Sequence, residues 1–244
     1  MTTNTIEASE RLSAIRTAID RAARLTGREG NDISLIAVSK TKSAEEIASL
    51  LEAGQRMFGE NRVQEAKDKW PGLRERWPDL RLDLVGQLQS NKAADAVATF
   101  DCIHSLDRPS LLTALAKAMD VQGRRIPCFI QVNIGEEAQK GGCAIADAPT
   151  LIAAARGADV PLAGLMCVPP EAQEPAPYFA LLAKIAREEG LAGLSMGMSG
   201  DYETAIMLGA THVRVGTALF GARPPFARPV PASGRGMIRN SPAR

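Results

Sequence analysis

The feature that most constrains this chain is an alternation that repeats eight times: an apolar, strand-like run, then a segment with helical spacing. The strand-like runs are 35–38, 57–60, 82–86, 102–106, 127–133, 162–168, 194–197 and 212–215. Ala44 to Gly54, Arg62 to Trp77, Asn91 to Ala98, a stretch opened by Asp107-Arg-Pro-Ser, Ala148 to Arg156, Tyr178 to Glu189 and Tyr202 to Leu208 read as the helices between them. An apolar stretch through Phe220 follows the last strand. Such alternation implies right-handed βαβ crossovers and a parallel sheet. Eight units in about 190 residues match one (β/α)8 TIM barrel, packed inside and binding ligands at the C-terminal ends of its strands. A doubly wound open sheet is the alternative; no G-x-G-x-x-G follows the first strand, which argues against a dinucleotide fold.

Ahead of the barrel, Ile6, Leu12, Ile15, Ile19, Ala22 and Leu25 make residues 6–26 an amphipathic helix, expected to cover one end of it. After Arg223, residues 224–244 are rich in Pro, Arg, Gly and Ser without periodicity and read as a disordered tail. The chain has 29 basic and 28 acidic residues, so no net field favours nucleic acid or an anionic membrane. Cys102, Cys128, Cys143 and Cys167 lack metal-site spacing and read as reduced, small hydrophobes, which implies a cytoplasmic protein. The N-terminus has no signal-type apolar core, and no run reaches the ~20 apolar residues of a spanning helix.

Lys40 ends the first strand, after four apolar residues without alternation and before Ser43-Ala-Glu-Glu46, a capping box opening a helix. A lysine there sits at the ligand-binding end of the sheet with its stem packed. Either it reaches solvent along that stem, or partial burial frees a neutral amine that attacks a carbonyl as a Schiff-base lysine.

The loops after strands seven and eight are where such barrels bind phosphate. Here they offer Met198-Ser-Gly-Asp201 and Gly216-Thr217: hydroxyls, a flexible glycine and free backbone N–H groups. Each is ordinary alone, as a helix cap or strand exit; with Lys40 across the mouth they suit a phosphorylated aldehyde. Arg214 alternates with Val213 and Val215 and points into the barrel or its mouth. It pairs there with a carboxylate such as Glu60, or it sets its guanidinium against a pyridine ring nitrogen. The second arrangement leaves that nitrogen unprotonated and the ring a poor electron sink.

Ala37-Val-Ser-Lys-Thr-Lys42, Phe58-Gly-Glu-Asn61, Val63-Gln-Glu65, Gly86 with Leu88-Gln-Ser-Asn-Lys92, Gln131-Val-Asn133, Gly164-Leu-Met166, Leu194-Ser-Met-Gly-Met-Ser199 and Val213-Arg-Val-Gly-Thr217 through Phe220-Gly-Ala-Arg223 resemble the pyridoxal-phosphate-binding homeostasis protein family. The resemblance spans nearly the whole chain up to Arg223 and implies the barrel half of an alanine racemase-like, fold-type III protein. It implies pyridoxal 5'-phosphate held by Lys40 as an internal aldimine. Ser199, Gly200, Gly216 and Thr217 would hold the phosphate, Arg214 would face the ring nitrogen, and Asn61 and Met166 would lie near the ring. The chain departs from the family pattern at Arg62, Leu82-Asp83 and Gly141-Gly142.

Racemisation needs an acid/base group on each face of the cofactor, and alanine racemase-like enzymes take the second from another domain. Tyr178 and Tyr202 fall in or at the start of helices and read as packing, and His104 and His212 read as structural. The first expectation is therefore a monomeric, non-enzymatic carrier of pyridoxal phosphate, touching recipient apo-enzymes transiently. An amino-acid racemase and an aldolase-like barrel without cofactor are the alternatives.

Overall fold

The computed structural model describes residues 3–221. The chain forms eight parallel strands: β1 Ser34–Val38, β2 Met57–Glu60, β3 Arg81–Leu84, β4 Cys102–Leu106, β5 Cys128–Gln131, β6 Leu162–Met166, β7 Gly193–Ser195 and β8 His212–Val215. They pair in chain order, and β8 returns to β1, with Ala37 opposite Val215 and Ser34 opposite His212. That pairing closes the barrel and removes the open-sheet alternative. Nine helices surround it among the described residues: α1 Thr3–Arg24, α2 Ala44–Glu52, α3 Val63–Arg76, α4 Ala93–Thr99, α5 Pro109–Gln122, α6 Ala148–Gly157, α7 Ala176–Glu188, α8 Tyr202–Met207 and α9 Thr217–Phe220. The tail expected at 224–244 lies outside the described residues.

Sequence chemistry sets several of these boundaries. Ser43 caps α2 through a reciprocal box with Glu46, and Gly123 ends α5 in the left-handed region at φ 61°. The helix after β8 lasts one turn, so among the described residues the outer ring has no full eighth helix there. α1 takes that place and packs against α2, α8 and α9. It therefore lies along the side of the barrel, where expectation had it covering an end. Its buried stripe is Ala8, Leu12, Ile15, Ile19, Ala22 and Ala23, while Ile6 and Leu25 stay exposed.

Outward-facing strand residues such as Leu35, Ala37, Leu82, Leu84, Val213 and Val215 join the helices in one apolar layer. Inward, the strands carry a small apolar cluster of Cys102, Phe129 and Met166. Beside it Asp83, His104, Ser195 and Arg214 are all buried. Branched apolar side chains dominate most such interiors, so this polar group is the feature of the fold that bears on function.

Candidate functional site

Lys40 stands immediately beyond β1 at the C-terminal rim of the barrel and is exposed. The expectation of a packed stem is corrected: at Thr41 the backbone turns into the left-handed region, φ 63°, and carries the chain out of the strand direction. Such a conformation costs a non-glycine residue about 1 kcal/mol or more and needs outside support. Glu65 of α3 supplies it by accepting the Thr41 amide N–H at 2.6 Å. Lys69, one helical turn on, donates to the carbonyls of Ser39 at 3.0 Å and Lys42 at 3.1 Å. The turn bearing Lys40 is thus held from beneath, while among the described residues the Lys40 ammonium has no hydrogen-bond or ion-pair partner.

β8 lies beside β1, so the Gly216-Thr217 exit is adjacent to the strand that ends in Lys40. A Cβ built on Gly216 would come within 3.3 Å of the Val38 carbonyl. The hydroxyls of Ser199 and Thr217, and the backbone N–H groups of Gly200 and Thr217, make no hydrogen bond among the described residues. Asp201 has turned its carboxylate to the Met198 N–H, at 2.5 Å, which leaves the amides between them free. A cleft of about 580 Å³ reaches Gly200 from the β6 side, lined by Lys140, Val168, Pro169, Met198 and Asp201. It is within the size range of small-molecule sites. Unsatisfied hydroxyls and amides suit a phosphate, and the free ammonium nearby suits a carbonyl carbon.

Arg214 lies inside the barrel, donating to Ser195 Oγ at 2.6 Å and to the Cys167 carbonyl at 2.8 Å. Burial pulls its guanidinium below its ordinary range, yet arginine stays charged in proteins. The alternative pairing with Glu60 is not formed. Glu60 is on the outward face of β2, with Oε1 taking Lys69 Nζ at 2.7 Å, Ser39 Oγ at 2.8 Å and Trp70 Nε1 at 3.2 Å.

Behind Arg214 runs a group that sequence reasoning did not assemble. His104 Nδ1 is 2.8 Å from Ser195 Oγ, and its Nε2 is 3.1 Å from Asp83 Oδ2. Arg81 Nε approaches Asp83 Oδ1 at 3.1 Å. Burial lowers the His104 imidazole against the pull of Asp83. Burial opposes ionisation of Asp83 too, but the hydrogen bond from His104 and the Arg81 charge outweigh it and hold that carboxyl below its usual range. The available signal was polar residues on the inward positions of strands buried on both faces: 81 and 83, 104, 195, and 212 and 214. Asp83, Cys102 and His104 also bring potential ligand atoms within 4.8 Å of one another. A guanidinium already occupies Asp83, and burial keeps the Cys102 thiol protonated, so the trio is a hydrogen-bonded knot and no natural cation site.

Asn61 follows β2 and is half-buried. Its position depends on Gly86, since a Cβ there would stand 2.3 Å from the Asn61 carbonyl oxygen. Met166 ends β6 opposite Gln131 and Ser195 and is 1% exposed, within the inner apolar cluster. Of the departures from the family pattern, Arg62 is exposed at the start of α3. Gly141 makes room for Gln87, which donates to Gln131 at 2.5 Å while Gln131 donates to the Gly141 carbonyl at 3.0 Å. The Tyr178 hydroxyl is bonded to Gln173, and Tyr202 is buried.

The closed parallel barrel with an exposed lysine at its C-terminal rim defines a class, and the sequence comparisons give it a name. The sequence model of the alanine racemase N-terminal domain matches residues 11–224. The pyridoxal phosphate homeostasis protein of Escherichia coli K12 is 39% identical over 224 residues, covering 87% of this chain and 95% of that one. PipY of Synechococcus elongatus, in a structure without PLP, is 37% identical with a TM-score of 0.79, covering 87% of this chain and 99% of its own. Its PLP-bound structure is 36% identical, TM-score 0.78, covering 88% and 100%. This chain belongs to the pyridoxal phosphate homeostasis protein family, within the alanine racemase N-terminal domain fold.

Proposed function

We propose that this protein binds pyridoxal 5'-phosphate at the barrel rim and serves intracellular vitamin B6 and amino-acid homeostasis as a carrier. The observation that carries the reading is one juxtaposition: the β1–β8 pairing sets the strand end that bears Lys40 beside a rim whose hydroxyls and amides, like the Lys40 ammonium, have no partner among the described residues. The PLP-bound PipY structure supports it, as do the names of the curated relatives. When bound, the cofactor would supply an electrophilic aldehyde carbon to the Lys40 amine. Ser199, Gly200, Gly216 and Thr217 would hold the phosphate, Arg214 would serve the ring nitrogen, and Asn61 and Met166 would lie near the ring.

The carrier reading rests on what the rim lacks for turnover. Exchange of an α-proton on both faces needs two positioned acid/base groups. Tyr178 is tied to Gln173, Tyr202 is buried, and an arginine opposite the ring nitrogen withholds the proton that would draw electrons into the ring. We place the protein in the cytoplasm as a monomer that meets recipient apo-enzymes briefly. Among the described residues no helix is long and apolar enough to cross a membrane.

The test is to soak the purified protein with pyridoxal phosphate, reduce it with borohydride and locate the pyridoxyl group by mass spectrometry. Yellow protein labelled at Lys40 is expected, with no racemisation or decarboxylation across the common amino acids. Colourless protein, label on another side chain, or amino-acid inversion abolished by Lys40→Ala each rejects the reading.

A further inference from the structure

Asp83, His104, Ser195 and Arg214 come from β3, β4, β7 and β8, and with His104 neutral, as its burial favours, their hydrogen bonds admit one arrangement of protons. The Asp83 carboxylate only accepts; Oδ1 receives Arg81 Nε–H, so the ring proton of His104 must sit on Nε2, 3.1 Å from Oδ2. His104 Nδ1 is then a bare acceptor, and Ser195 must aim its hydroxyl proton at it, at 2.8 Å. That leaves the lone pairs of Ser195 Oγ for Arg214 Nη1–H at 2.6 Å. Asp83, His104 and Ser195 are 0% exposed and Arg214 is 5% exposed, so solvent has little access to replace a missing link.

We propose that Asp83 is a positioning residue for Arg214, acting through the tautomer of His104 and the hydroxyl of Ser195. It deepens the carrier reading, on which rests the statement that Arg214 meets the ring nitrogen. One carboxylate in the middle of the barrel thereby sets where a guanidinium at its mouth can stand. The Cys167 carbonyl fixes the other end of the same guanidinium, at 2.8 Å, so loss of the Ser195 bond leaves Arg214 with one anchor.

The experiment uses the full chain, first without cofactor. Nitrogen NMR reports the His104 tautomer directly, and Nε2–H is expected. Asp83→Asn keeps the shape but offers one acceptor and one donor. Arg81 Nε–H claims the acceptor, the amide N–H faces His104, and the ring proton moves to Nδ1. Ser195 then accepts from His104 as well as from Arg214, and its buried hydroxyl proton loses the acceptor it had at Nδ1; the hydroxyl must turn to find another, which loosens its contact with Arg214 and broadens the Arg214 N–H resonances. Ser195→Ala breaks the middle link without touching Asp83: Arg214 broadens while the His104 tautomer stays, which keeps the test decisive if Asp83→Asn folds poorly.

After loading with pyridoxal phosphate, both variants should shift the visible band and release the cofactor roughly tenfold faster, the effect of one lost charge-assisted hydrogen bond. Borohydride should still place the label on Lys40. An unchanged His104 tautomer with sharp Arg214 resonances in Asp83→Asn overturns the proposal, as does an unmoved band and release rate in both variants. Wild-type protein that takes no label rejects the carrier reading instead, and the resonances of the unloaded protein still decide whether Asp83 governs Arg214.

Discussion

Lys69 Nζ lies 2.7 Å from Glu60 Oε1, and the same ammonium reaches the carbonyls on both sides of the Lys40-Thr41 turn. The two side chains are 10% and 0% exposed, so this ion pair ties the end of β2 to the turn that presents the proposed cofactor lysine.

Breaking a buried pair leaves an uncompensated charge, which costs about 3–5 kcal/mol. Lys69→Met should lower stability by that order in urea unfolding and slow pyridoxyl labelling of Lys40, because the left-handed Thr41 loses its support. Adding Glu60→Gln should restore part of the stability. A loss under about 1 kcal/mol would show that the pair is not what holds the turn.

Lys40 itself is exposed and has no partner among the described residues, so Lys40→Ala should leave stability within about 0.5 kcal/mol of the parent. The label at this position disappears with the amine. A drop of several degrees in Tm would mean that the side chain packs in a way this structure does not show.

Ser199→Ala and Thr217→Val each remove one hydroxyl from the rim. Each should weaken pyridoxal phosphate binding by roughly tenfold, the scale of one hydrogen bond to a charged group. Titration with unphosphorylated pyridoxal is the control, and there the variants should match the parent. Equal losses with both ligands would move the phosphate away from this rim.

Gly86→Ala places a methyl 2.3 Å from the Asn61 carbonyl oxygen. Overpacking against backbone costs roughly 1–3 kcal/mol, so the variant should unfold earlier and bind cofactor less tightly as the segment after β2 shifts. Unchanged binding despite lower stability would remove Asn61 from the site.

Acid should weaken the fold before the carboxylates titrate. Burial and the neighbouring His104 push the His212 imidazole down to about 4. An unfolded histidine takes its proton near 6.5, so below that pH the unfolded chain binds more protons than the folded one. Stability from this group is full above about pH 6.5, declines as pH falls, and levels off below about 4, for a loss of about 3 kcal/mol. Asp83, held below its usual range, adds a further loss only at still lower pH. Urea midpoints at pH 7.5, 5.5 and 4.5 measure the slope, and His212→Gln should flatten it. No decline between pH 7.5 and 4.5 in the parent contradicts the half-buried, neutral imidazole.

The barrel was legible because period and length are local properties. Continuous apolar runs mark strands covered on both faces, and eight crossovers leave few ways to close. That the loops carrying Ser199, Gly200, Gly216 and Thr217 share a rim was legible for the same reason, since it follows from strand order. The place of Lys40 at a strand end was legible, yet its exposure was misjudged, since a left-handed threonine held by Glu65 leaves no trace in the pattern. The position of α1 was likewise hidden, because it follows from a helix after β8 that stops after one turn.

The sequence by itself determined the alternation, the closed sheet and which loops meet at the rim, all of which depend on spacing along the chain. Only the tertiary structure decided that Glu60 turns outward to Lys69, and that Asp83, His104 and Ser195 line up behind Arg214. Those residues lie far apart in sequence, and strand register together with side-chain direction, settled when the whole barrel packs, determines which of them touch.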